Sequence, residues 1–178
     1  SAIYILNSET KETKKLTVNT SKSESDANFI ENGRKIVFLS ADDNGTSQLW
    51  MMNTDGSNRK CISSEKTDVN GYLFSPDEKN VVLIHDVPTE TSIIKNDDDL
   101  PKATGMVINE LMYKHWDRYV RSIPHPFIAN FDGSQITNAR DILDGQPYES
   151  PMCPFGGIEE FAWSPDSKSL AYVMRKKT

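Results

Sequence analysis

The chain has 178 residues, 37% of them apolar and 9% aromatic, and it carries a net charge of −6. That acidic balance argues against a nucleic-acid-binding surface, and no apolar run approaches the roughly 20 residues a membrane span needs. The two cysteines, Cys61 and Cys153, lie far apart with no ligand-type partner at short spacing, so no metal and no cofactor are expected, and two thiols are the expectation over a disulfide.

In chain order, "AIYILNSETKETKKLT" predicts a strand over 3–6, a turn over 8–11 and a strand near 15–18. A polar linker follows. Residues 26–64 then read as one unit of four short strands. The turn Glu31-Asn32-Gly33-Arg34 precedes an apolar run, Ile36-Val37-Phe38-Leu39, which a sheet covered on both faces would need. Asn44-Gly45 marks a hairpin, "QLWMMN" the third strand, and Thr54-Asp55-Gly56-Ser57 the turn into the fourth.

A second unit begins near Val69 with the turn Ser75-Pro76-Asp77-Glu78 and resumes at Pro126, where Phe131-Asp132-Gly133-Ser134 repeats the earlier Thr54-Asp55-Gly56-Ser57. Between its halves, over about 86–123, lies an insertion far longer than the usual hairpin loop of 2–5 residues. Within it Asp97-Asp98-Asp99-Leu100-Pro101 reads as a helix start. Ile108, Met112, Trp116 and Val120 then recur at helical spacing, with Arg118 mostly off that face. The final stretch repeats the opening half of a unit, with Ser164-Pro165-Asp166-Ser167 as its turn.

The same phrase, an aromatic residue, a polar turn and an apolar strand, thus starts at Phe29, Phe74 and Trp163. Those starts are about 45 and about 90 residues apart, near one and two periods of a four-stranded propeller blade. The expected fold is mostly β: a partial β-propeller of antiparallel four-stranded blades with one helical insertion. It divides into an outer half-blade over 1–19, a blade over 26–64, an interrupted blade over 69–145 and an inner half-blade over 156–178. Closed propellers need about four to eight blades, so this is the expectation for part of a larger domain, and its unpaired strand edges invite self-association.

The Ser-Pro-Asp-x-Lys turns and "LWMMNTDGS" resemble the TolB-type propeller repeat. Combined with "ELMYKHWDRYV" inside the interrupted blade, they are similar to the N-terminal propellers of bacterial prolyl oligopeptidase-family serine peptidases, of the dipeptidyl or acylaminoacyl type. The resemblance implies a C-terminal α/β-hydrolase domain in the same protein, a short peptide as substrate, and a propeller that restricts access and helps position it. It implies a periplasmic or secreted bacterial location, with the cytoplasm as the alternative. No G-x-S-x-G elbow is present and no catalytic residue is assigned, so this chain by itself is expected to be inactive. The alternative function is a non-catalytic TolB-like propeller that binds another protein.

Three groups of residues merit weighing. Glu159 and Glu160 could hold a substrate ammonium, as paired glutamates do in some dipeptidyl peptidases, although in a strand only one of them could face the channel; the alternative is a solvated strand end or blade–blade hydrogen bonding. His115, Trp116 and Arg118 could line the approach to the hydrolase or a partner surface, with Trp116 otherwise packing as part of the helical stripe. The acidic run at 97–99 lacks the alternate-position ligands of a calcium loop, and helix capping accounts for it better.

Overall fold

A computed structural model describes residues 1–18, 21–88 and 122–176. They form twelve strands in four antiparallel sheets. β1 (Tyr4–Leu6) pairs with β2 (Thr13–Lys15). A four-stranded sheet follows, made of β3 (Glu24–Ile30), β4 (Lys35–Ala41), β5 (Ser47–Asn53) and β6 (Lys60–Cys61) in chain order. The next has the same up-and-down order, with β7 (Gly71–Phe74), β8 (Asn80–Pro88), β9 (Ser122–Phe131) and β10 (Ile136–Asp141). β11 (Phe161–Trp163) and β12 (Leu170–Tyr172) form the last, two-stranded sheet. This is the expected mostly-β, propeller-type architecture.

The repeated phrase sets the register of each sheet. Phe29 pairs with Ile36, Phe74 with Val81 and Trp163 with Leu170, always from the last aromatic of one strand to the first apolar residue of the next. At the two Ser-Pro-Asp turns the chemistry is the same to the atom. The Ser75 hydroxyl donates to Asp77 at 2.7 Å and accepts the Asn80 N–H at 3.0 Å, while Ser164 donates to Asp166 at 2.6 Å and accepts from Ser169 at 2.9 Å. Proline sets the backbone angle of the turn and aspartate holds its amides. These serines are structural.

Packing explains the apolar runs that do not alternate. Along β4, Val37 and Leu39 point to one side, where they meet Tyr72, Val81 and Leu83 of the next sheet. Ile36 and Phe38 point to the other side, against Ile3 and Leu16, which flank β1 and β2. β8 behaves likewise, sending Val81 and Leu83 backward and Val82 and Ile84 forward onto Phe161. Each central strand is therefore buried on both faces, and the core is a set of layers between successive sheets. Polar ties cross those layers. Tyr72 donates to the Val37 carbonyl at 2.7 Å, and the Trp163 indole donates to the Leu73 carbonyl at 3.2 Å.

The strands of the interrupted sheet run further than expected. β8 continues through Asp86, Val87 and Pro88, which pair with Pro124, Ile123 and Ser122, so 86–88 and 122–123 belong to a hairpin ladder and not to a helical insertion. Pro124 and Pro126 look like strand breakers in sequence, but both fall on the edge of β9 away from β8. There the Pro126 carbonyl accepts from Ile142 and the Pro124 carbonyl from Ser150, and neither position is asked for an N–H. The helical expectation for the rest of the insertion lies outside the described residues.

Candidate functional site

Glu159 and Glu160 occupy a single 3₁₀ turn, Ile158–Glu160, that leads into β11. The sequence reading has them in the strand itself. A 3₁₀ turn rotates about 120° per residue instead of alternating faces, so the two carboxylates diverge without pointing in opposite directions. Gly157 starts the turn by accepting the Glu160 N–H at 3.1 Å, and the Glu160 carbonyl accepts from Val173, just past β12, at 3.2 Å.

The two side chains have different surroundings. Glu160 is half-buried, and its Oε2 accepts the Met152 N–H at 2.8 Å. A Cβ on Gly156 would stand 2.4 Å from Glu160 Oε1 and 2.6 Å from the Met152 carbonyl, so glycine lets the loop close over that carboxylate. Glu160 is a loop anchor. Glu159 is exposed and accepts no hydrogen bond from the described residues. Its carboxylate, an acceptor only when ionised, is the one left available to a cation.

The loop that carries this pair is clamped from both sides. Glu149 is buried and ion-paired to Arg175, whose Nη2 also donates to the Cys153 carbonyl at 2.9 Å. Main-chain hydrogen bonds join the same two residues, Glu149 and Arg175. Ser150 N–H donates to Pro124 at 3.0 Å and its hydroxyl to the Val173 carbonyl at 2.6 Å. Sequence reasoning missed this clamp, because its members lie 26 residues apart and on no repeat.

A second cluster also escaped the sequence reading. His85 and His125 face each other across β8 and β9, both buried. His125 Nδ1 lies 2.7 Å from an Asp141 carboxylate oxygen, and His85 Nδ1 lies 3.0 Å from the Asp68 carbonyl. The Nε2 atoms of both rings are buried without a hydrogen-bond partner. Aspartate orienting a histidine is half of an acid–base triad, but among the described residues no hydrogen-bond partner reaches that Nε2. Among the described residues, no group of three or more His, Cys, Asp or Glu could hold a metal ion. His115, Trp116 and Arg118 lie outside the described residues.

Comparison with known proteins places this geometry in context. No family model matches the chain. Dipeptidyl-peptidase 5 of Porphyromonas gingivalis is 44% identical over 165 residues, covering 93% of this chain and 24% of that protein. Dipeptidyl-peptidase 5 of Porphyromonas endodontalis is 35% identical over 176 residues, 99% of this chain and 25% of that protein. The chain thus spans about a quarter of the length of these relatives. Among solved structures, TolB from Acinetobacter baumannii superposes on 98% of this chain and 32% of its own, with a TM-score of 0.54 at 13% identity, a likeness of fold. By fold the chain is a TolB-type β-propeller segment, and by sequence it is homologous, over nearly its whole length, to a quarter of bacterial dipeptidyl-peptidase 5.

Proposed function

We propose that this chain is the propeller portion of a bacterial serine exopeptidase that releases dipeptides from short peptides. In this reading it restricts access to an α/β-hydrolase domain of the same protein and helps hold the substrate's amino terminus, in the periplasm or outside the cell. The 44% identity to a dipeptidyl-peptidase 5 across 93% of the chain carries the reading.

Within it, the two glutamates divide their work. Glu160 is engaged by the Met152 N–H, whereas Glu159 is exposed and accepts no hydrogen bond from the described residues. Glu159 is the residue that would accept the substrate ammonium in a charge-assisted hydrogen bond, and Glu160 the one that sets the loop. Removing a ground-state contact of this kind raises KM more than it lowers kcat.

The test is Glu159→Gln in the full-length protein that carries this segment, assayed on a dipeptidyl reporter. KM should rise about tenfold, the effect of about 1.4 kcal/mol of lost binding, and an N-acetylated reporter should show no such difference between wild type and variant. An unchanged KM would refute the ammonium contact. Failure of the wild-type full-length protein to cleave any dipeptidyl reporter would instead favour the protein-binding module.

A further inference from the structure

One position recurs in the turns that join the first and second strands of successive sheets. Gly33, Glu78 and Ser167 stand at the same distance after Phe29, Phe74 and Trp163, and all three have positive φ, at 83°, 57° and 61°. Glycine holds that left-handed backbone at no steric cost, whereas a residue with a Cβ is strained in it. Two of the three turns therefore carry a strained residue where glycine would serve.

The side chains of the strained residues cross to the neighbouring sheet. Glu78 Oε1 accepts the Glu31 N–H at 2.8 Å, from the turn of the sheet before it. Ser167 Oγ accepts the Asp77 N–H at 3.0 Å, again from the turn of the sheet before it. The two contacts differ by one residue for a simple reason. Pro76 stands where Glu31 stands and has no N–H, so the next amide, that of Asp77, is the one engaged. The internal bonds of these turns use other donors: Arg34 N–H reaches the Glu31 carbonyl at 3.3 Å, and Glu78 N–H the Ser75 carbonyl at 2.8 Å. Lys35 pairs with the Glu31 carboxylate at 2.5 Å, which offsets the second negative charge beside Glu78.

We infer that this position is an inter-blade latch, and that its strained backbone is kept because its side chain captures an amide of the preceding turn. The apolar layers hold successive sheets together, but burial is non-directional. A hydrogen bond is directional, so the latches set how one sheet sits against the next at this rim. Bonds within the sheets join the latches into a continuous line. Thr54 N–H donates to the Arg34 carbonyl at 3.3 Å, and Phe131 N–H to that of Lys79 at 2.8 Å. β11 runs from the Glu159 turn to the Ser164 turn, so the latched rim is the one opposite Glu159. The inference does not depend on the proposed peptidase role.

Hydrogen–deuterium exchange of single amides, measured by fragmentation mass spectrometry on the full-length protein that carries this segment, tests it. Glu78→Gly relaxes the backbone of its own turn but removes the latch, so the Glu31 amide should exchange about five- to tenfold faster, the worth of one hydrogen bond. Glu78→Gln keeps the accepting oxygen and should leave that amide exchanging as in wild type. Ser167→Ala should speed exchange at Asp77 and leave Glu31 unchanged. If the side chain at this position acts only within its own turn, Glu78→Gly would raise Tm and leave the Glu31 amide as it was, and that result would overturn the inference. A glutamine variant whose Glu31 amide exchanges as fast as in the glycine variant would overturn it too.

Discussion

Replacing Tyr72 by phenylalanine removes one oxygen from the largest core layer, and the structure sets what that oxygen does. The phenol of Tyr72, on β7, is buried and donates to the Val37 carbonyl on β4 at 2.7 Å, with the Asp26 carbonyl close beside it. It also accepts the Asn28 amide at 3.2 Å. Val37 is fully buried, so in Tyr72→Phe its carbonyl loses a partner that water cannot replace. Leaving a buried acceptor unsatisfied costs about 1–3 kcal/mol, and for a chain of this size each kcal/mol lowers Tm by about 2–4 °C. A midpoint of about 2 kcal/mol gives a fall of roughly 4–8 °C. Thermal melts followed by circular dichroism measure it directly.

The same residue gives a pH signature. Burial pushes the Tyr72 hydroxyl well above the ordinary tyrosine value of 10.0. The folded state therefore holds this proton more tightly than the unfolded chain does. Its contribution is complete below about pH 10 and is lost as pH rises toward the folded value. Wild type should lose stability above pH 10 more steeply than Tyr72→Phe. A variant that melts within 1 °C of wild type at pH 7, with an unchanged alkaline limb, would refute the claim that this phenol ties the two sheets together.

Other substitutions probe separate joints. Glu24 is a buried carboxylate that accepts from Arg59 at 2.7 Å and from Thr17, and Arg59 in turn lies over the Trp50 ring at 4.8 Å. Glu24→Ala should cost about 3 kcal/mol, since it strands a partly buried cation, and should lower the urea midpoint. Gly56→Ala should destabilise more than Gly133→Ala: both have positive φ, but a Cβ at Gly56 would stand 2.7 Å from the Leu16 carbonyl, and at Gly133 it meets open space. Hydrogen bonds from Ser75 and Ser164 hold the Asp77 and Asp166 carboxyls below the ordinary value of 3.8. Their contribution is present above about that pH and is lost as pH falls below it, so Asp77→Asn with Asp166→Asn should show a shallower acid limb in pH-dependent melts.

What could be seen in the sequence was periodic. Phe29, Phe74 and Trp163 mark equivalent points because each is the last aromatic of the first strand of a sheet, and a short turn then fixes the pairing of the next strand. Burial of both faces of β4 and β8 could be read from Ile36–Leu39 and Val81–Ile84, since unbroken apolar runs of strand length need cover on each side. Long-range pairing was hidden. The extension of β8 to Pro88 depends on Pro124 and Pro126 meeting no demand for an N–H, which is a fact of register and not of composition. The clamp from Glu149 to Arg175, and the His125–Asp141 contact, join residues that the repeat does not relate. The glutamate pair was visible as a pair, but its asymmetry was not. That comes from the Met152 N–H reaching Glu160 alone.

Hydrolysis of a dipeptidyl reporter, measured side by side for this chain and for the full-length protein that contains it, tests the central claim most directly. The account predicts release of the reporter by the full-length protein, none by this chain, and none by the full-length protein once its nucleophilic serine is replaced by alanine. Turnover by this chain alone, or a full-length protein inert toward every dipeptidyl reporter, would contradict it.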